Sequence, residues 1–186
     1  PELMFSEIER LLAIHRERPI QIVMAGKAHP RDGAGQALIE RLHGVIRDLD
    51  GKLPIAFLPG YDMALAKILV GGADVWLNTP LPPLEASGTS GMKAALNGVL
   101  NVSVLDGWWV EACINGTNGW AIGKDAPGGE GHAVALYELL EGSVLPIYYT
   151  DRKRWIWMMK QSIAKIAYYF ISQRMMRRYA TEAYLR

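Results

Sequence analysis

The stretch Glu85-Ala86-Ser87-Gly88-Thr89-Ser90-Gly91-Met92-Lys93 holds a carboxylate, a run of small residues and a primary amine in close succession. It leads into residues 92–97, which read as the start of a helix. Backbone N–H groups at a helix start point outward and carry partial positive charge. Such a place binds an anion, typically a phosphate. A lysine in the first helical turn can pair with that anion, or bond covalently to an aldehyde cofactor as a Schiff base. Glu85 precedes Lys93 by eight positions, so the two flank one expected pocket on either side of the loop. The plainer alternative is a tight strand-to-helix turn with no ligand.

Other reactive side chains are fewer. Lys27 follows an apolar run within Ala25-Gly26-Lys27-Ala28-His29-Pro30. His29 could touch a phosphate, but its place before Pro30 suits a turn. His15, His43 and His132 lack metal-ligand spacing, so no metal is expected. Trp108 and Trp109 could stack on a sugar, or serve packing or pocket shaping. Cys113 reads as a small core residue. Arg152, Lys153 and Arg154 read as a solvated helix start, and the Arg174 to Arg178 cluster as a docking helix.

These residues need a frame. Apolar runs at 20–26, 54–58, 73–77, 99–105 and 119–123 read as strands. Helical periodicity covers 5–14, 36–49, 63–69 (closed by Gly71-Gly72), 134–140 and the tail 155–185, with a loop at 126–131. Strands alternating with helices predict an α/β fold with a Rossmann-like, doubly wound parallel sheet. Ligands of such sheets sit at the carboxyl ends of strands. Segments 25–30, 59–62 and 78–93 all follow strands and are expected to meet in one crevice. The predicted division is a Rossmann-like domain over 1–150 and C-terminal helices over 151–186. Those helices are too apolar to stand alone and must pack on that domain or on another.

The chain has 186 residues and a net charge of +1, so its overall charge favours neither nucleic acid nor an anionic membrane. Its single cysteine excludes an internal disulfide and fits a reducing, cytoplasmic setting. No apolar run reaches the roughly 18 residues of a spanning helix, and no G-x-G-x-x-G follows a strand in the nicotinamide-binding manner.

The 85–93 loop, followed by Leu96-Asn97-Gly98, closely resembles the pyridoxal-phosphate loop of the α-glucan phosphorylases, the glycogen and maltodextrin phosphorylase family. Ala25 to Pro30 resembles that family's phosphate-binding lysine segment. Asp106-Gly107-Trp108-Trp109-Val110-Glu111 and Asn118 to Gly123 resemble its short bacterial and archaeal forms, and Arg174 to Tyr179 its C-terminal helix. The resemblance implies the C-terminal domain of a two-domain, GT-B type glycosyltransferase. It implies that Lys93 carries pyridoxal 5′-phosphate covalently, with Thr89 and Ser90 giving N–H groups to the cofactor phosphate. Tyr61 would stand near the cofactor, although Asp62 replaces the arginine common in animal forms. Lys27 would act in catalysis by holding the substrate phosphate. Glu85, Ser87 and Gly88 would bind hydroxyls of the terminal glucose. The partners implied are α-glucan, inorganic phosphate and an N-terminal domain of the same enzyme.

Departures from the pattern carry their own expectations. The family's Tyr-Lys-Arg segment and the strand before it have no counterpart here, so the first strand of the sheet is expected to be missing. The chain alone is then expected to be inactive, with apolar surface open to self-association. A sugar-nucleotide glycosyltransferase such as a glycogen synthase is the first alternative, but it often places a second glutamate where Lys93 stands. A non-catalytic interaction module is the other.

Overall fold

The computed structural model describes residues 2–123 and 131–185. The loop expected at 126–131 therefore lies outside the described residues apart from Gly131. A short 3-10 turn at Glu2–Phe5 precedes α1 (Ile8–Glu17), β1 (Ile22–Ala25), α2 (Gly33–Asp48), β2 (Ile55–Leu58), α3 (Met63–Gly72) and β3 (Val75–Asn78). Then come α4 (Thr89–Leu96), β4 (Leu100–Val104), α5 (Trp109–Ala112), β5 (Gly119–Ile122) and α6 (His132–Leu139). A π-helical segment (Leu140–Val144) joins α6 to α7 (Leu145–Thr150), and α8 (Arg152–Tyr169) and α9 (Ser172–Tyr179) follow, with a last π-helical turn at Ala180–Tyr184.

Every strand pair is parallel, as the alternation of strands and helices requires. The strands nevertheless form two sheets. β1 pairs with β2, Ile22 opposite Ile55, while β3, β4 and β5 form a second sheet in that order. No hydrogen-bonded ladder joins β1 to β3 among the described residues, so each has an unpaired side. One apolar cluster still spans both sheets: Ile22, Met24, Ile55 and Phe57 pack with Val75, Leu77, Leu100 and Val102. Every residue of β4 is buried, which fits a strand paired on both sides.

Local chemistry explains the helix starts. Asp32 accepts from Gly35 N at 2.9 Å, Asp62 from Leu65 N at 2.8 Å and Asp151 from Arg154 N at 2.9 Å, each satisfying an otherwise orphan N–H. α2 accordingly begins at Gly33, ahead of the apolar periodicity. Helix α3 does not close at its glycines but runs through Gly72, and extended Ala73 ends it. Asp62 is thus a helix cap.

Helix α8 buries Trp155, Met158, Ser162 and Ile166. Its Met159 and Ile163 approach Gly98 at the end of α4, so α8 packs against the candidate cofactor helix. By contrast α9 buries nothing, and Tyr168, Met175, Met176, Tyr179 and Tyr184 are exposed. At the other end, Tyr137 Oη donates to Met4 O at 2.8 Å and accepts from Glu7 N, while Arg10 makes paired hydrogen bonds to Glu141. These contacts dock the N-terminal turn and α1 onto α6.

Candidate functional site

The candidate site forms where β3 and β4 end. The loop from Pro80 to Gly88 crosses above these strands and enters α4 at Thr89. Gly88 takes a left-handed conformation (φ 89°) and supplies no side-chain cap. A side chain there would meet the Trp108 indole at 3.0 Å. The first N–H groups of α4, at Thr89 and Ser90, are therefore left for a ligand. The first turn is held from below by Asn101, whose Nδ2 donates to Gly91 O at 3.1 Å.

A cleft of about 60 Å³ opens here, lined by Asn78, Pro80, Glu85, Gly88, Ser90, Ser103, Asp106 and Trp108.

The expected site residues divide into two groups. Glu85, Gly88 and Ser90 come together in the cleft. Ser87 does not line it, but its carbonyl accepts from Trp108 N at 2.9 Å and fixes the loop. Lys93 is displaced from the expected first turn, because the helix begins at Thr89 rather than Met92. It stands one turn further in, on the exposed face it shares with Thr89, and does not flank the cleft. Cα–Cβ bonds on a helix tilt toward its N-terminus, which starts the lysine stem back toward the uncapped N–H groups. The set suits a ligand with both an aldehyde and a phosphate: an exposed amine one turn from a helix start that no side chain caps.

Lys27 and Tyr61 are not brought to the cleft. Both are exposed and follow β1 and β2, the strands of the other sheet. The single crevice expected from segments 25–30, 59–62 and 78–93 is thus only partly assembled, because the ladder is broken between β1 and β3. His29 has the turn role: its Nδ1 accepts from Arg31 N at 3.1 Å. Trp108 and Trp109 are buried and tilted against each other with ring centroids 5.0 Å apart, which makes packing their main role. Trp108 also walls the cleft.

Sequence reasoning missed Asn78, Pro80, Ser103 and Asp106, whereas pocket shaping was among the readings of Trp108. One signal was available. Asn101 and Ser103 are polar residues two apart in an otherwise apolar strand, and the polar side chain of Asn78 ends another such run. Polar residues at period two on a buried strand mark a face that meets something polar.

Comparisons with known proteins identify the family. Residues 4–124 match the carbohydrate phosphorylase family. The chain is 48% identical to the glycogen phosphorylase of Aquifex aeolicus (strain VF5), over 99% of this chain and 28% of that protein. It is 49% identical to the maltodextrin phosphorylase of Thermococcus litoralis, over 98% of this chain and 23% of that protein. It therefore spans about a quarter of the length of these relatives. Among solved structures, a glycosyltransferase from Rickettsia africae ESF-5 superposes with a TM-score of 0.70 at 19% identity, over 95% of this chain and 42% of that one. That likeness establishes the parallel α/β fold seen in glycosyltransferases. With the family matched across both sheets and the glycine-rich loop, the chain belongs to the carbohydrate phosphorylases.

Proposed function

We propose that this chain is the cofactor-carrying part of a retaining α-1,4-glucan phosphorylase, which releases α-glucose 1-phosphate from non-reducing glucan ends. The observation that carries this reading is the exposed Lys93 amine beside the uncapped start of α4, next to the Glu85 cleft. Membership of the carbohydrate phosphorylases supports it.

In this reading Lys93 holds pyridoxal 5′-phosphate, and the N–H groups of Thr89 and Ser90 receive the cofactor phosphate; Tyr61 comes near it only once the two halves of the sheet share one crevice. The cofactor supplies a phosphate group that assists proton transfer to and from the substrate phosphate. Glu85 accepts hydrogen bonds from hydroxyls of the terminal glucose, and Ser87 and Gly88 present backbone groups to the same sugar. Inorganic phosphate gives a proton to the glycosidic oxygen. The bond from that oxygen to C1 breaks, and a phosphate oxygen bonds to C1 on the same face. Two neighbouring phosphates repel strongly at low dielectric. Lys27 offsets part of that charge once the two halves of the sheet share one crevice, and oriented N–H groups offset more.

The broken sheet and the length of the relatives support a site completed by other parts of a longer enzyme, including a strand between β1 and β3. The isolated chain is then expected to release no glucose 1-phosphate, and measurable phosphorolysis by it alone would contradict this. The glycogen synthase alternative is disfavoured because Lys93 offers an amine in place of a ribose acceptor.

The test is borohydride trapping. The chain and its full-length parent are incubated with pyridoxal phosphate, reduced, digested and mapped by mass spectrometry. Selective label on Lys93, absent in Lys93→Ala, is the expected result. A full-length parent that phosphorolyses glucan while leaving Lys93 unlabelled would overturn the cofactor assignment.

A further inference from the structure

Three consecutive residues after β4 hold three points of the loop above them. Asp106 Oδ2 accepts from Glu85 N at 3.0 Å, and Oδ1 accepts from Gly107 N at 2.9 Å. Gly107 lies directly under Ser87: a Cβ there would stand 2.5 Å from Ser87 O, at a φ of 52° that disfavours side chains in any case. Trp108 N donates to Ser87 O at 2.9 Å, and its indole packs under Gly88. The cradle is itself anchored. Asp106 N donates to Val104 O at the end of β4, and Trp108 meets Phe170, at the end of α8, edge-on with centroids 5.3 Å apart. The loop has little other support, since Glu85, Ala86 and Thr89 are all exposed.

We infer that Asp106 is the positioning residue of the sugar-binding loop: its carboxylate, fixed at the end of β4, holds the Glu85 backbone so that the Glu85 side chain lines the cleft. This rests on the phosphorylase reading, which gives the loop its substrate. A carboxylate accepting backbone N–H groups makes charge-assisted bonds, stronger than neutral ones, and so suits an exposed loop that must keep one conformation. Asp106 acts through Glu85 and is not itself assigned to the reacting atoms.

The experiment uses the full-length enzyme carrying Asp106→Asn and Asp106→Glu. Asparagine keeps the size but has one acceptor oxygen, so it retains only one of the two N–H bonds. The expected result is a KM for glucose 1-phosphate raised about tenfold, the worth of one such hydrogen bond, with borohydride labelling of Lys93 unchanged. Asp106→Glu keeps the charge and is expected to fall between the two. A residue that merely stabilised the fold would lower the melting temperature and the active fraction and leave KM alone; that outcome overturns the proposal. Should Asp106→Asn not fold, amide exchange on the wild-type enzyme decides. The Glu85 N–H must exchange more slowly than that of Ala86, which has no acceptor among the described residues, and equal rates overturn the assignment. Failure of the underlying reading looks different, because the wild-type parent would then release no glucose 1-phosphate, and the proposal would fall with it.

Discussion

Gly91 occupies a position that no side chain can share. A Cβ there would stand 2.7 Å from Asn101 Oδ1, 3.0 Å from the Trp108 ring and 3.1 Å from Asn78 Nδ2. All three belong to the floor or wall of the candidate site, and Asn101 and Trp108 are buried, so none can swing away freely. Gly91→Ala is expected to lower stability by about 1–3 kcal/mol through overpacking. Urea denaturation reads this, and an unchanged midpoint would mean that the floor yields more easily than its packing implies. At this scale the sequence conveyed residue type better than placement. Glu85, Gly88 and Ser90 were recognisable because small residues between a carboxylate and a helix imply a turn that binds. Asp106 is legible only through its place in a family-like motif, because a backbone N–H bond across 21 residues leaves no local trace. The position of Lys93 was misjudged by one turn. Thr89, Ser90 and Gly91 are weak helix formers, and tertiary support from Asn101 rather than propensity draws them into α4.

Helix α8 joins the tail to the rest of the molecule. Trp155 is buried at its start, with its ring edge-on to Tyr148 at 4.9 Å and near Trp120 at 6.1 Å. Trp155→Ala removes the largest buried side chain of α8 and is expected to cost about 3–5 kcal/mol. A thermal melt of the variant showing less than a few degrees of change would place the anchor elsewhere. Strands were the most legible elements, since buried parallel strands are short apolar runs bounded by turns. Helix ends were less so. Glycines at 71 and 72 read as a stop, yet Gly71 lies close to Asn97 on α4, where a Cβ would be 3.5 Å from its Oδ1. That is an ordinary contact distance, so the helix carries both glycines without a packing need for either. Helices α5 and α7, at four and six residues, went unforeseen because two turns or fewer carry no readable period.

Across the whole molecule, the N-terminal turn and α1 are held by side chains from the far end of the α/β unit. Arg10 reaches Glu141 at 2.7 Å and lies over the Tyr137 ring, whose hydroxyl is pushed up in pKa mainly by burial. The Arg10 hydrogen bonds hold the Glu141 carboxyl below its ordinary value of 4.5. Because the native pKa is the lower one, the pair contributes fully above that value and loses its contribution as pH falls through the native pKa. Glu141→Gln is thus expected to melt below wild type near neutral pH, with the gap closing under acid; a gap that is constant with pH would assign the loss to packing. The pairing of these ends was invisible in the sequence, since both partners look like ordinary surface charges. So was the separation of the strands into two sheets, although the resemblance to a longer family gave reason to expect a strand to be absent. Of the helices expected over 151–186 to pack on the domain at 1–150 or on another, α8 lies directly on α4.

The Tyr137 clamp also bears on how the chain is made. Met4 and its partner Tyr137 lie 133 residues apart. At about 5–20 residues per second, a ribosome needs on the order of ten seconds to deliver the second after the first. Throughout that interval α1 lacks the cover of α6, and Leu11, Leu12 and Ile14, all buried in the finished fold, face solvent or a chaperone. Within this stretch of chain α1 is thus made well before the element that covers it, and it stays unsealed until α6 has followed it out.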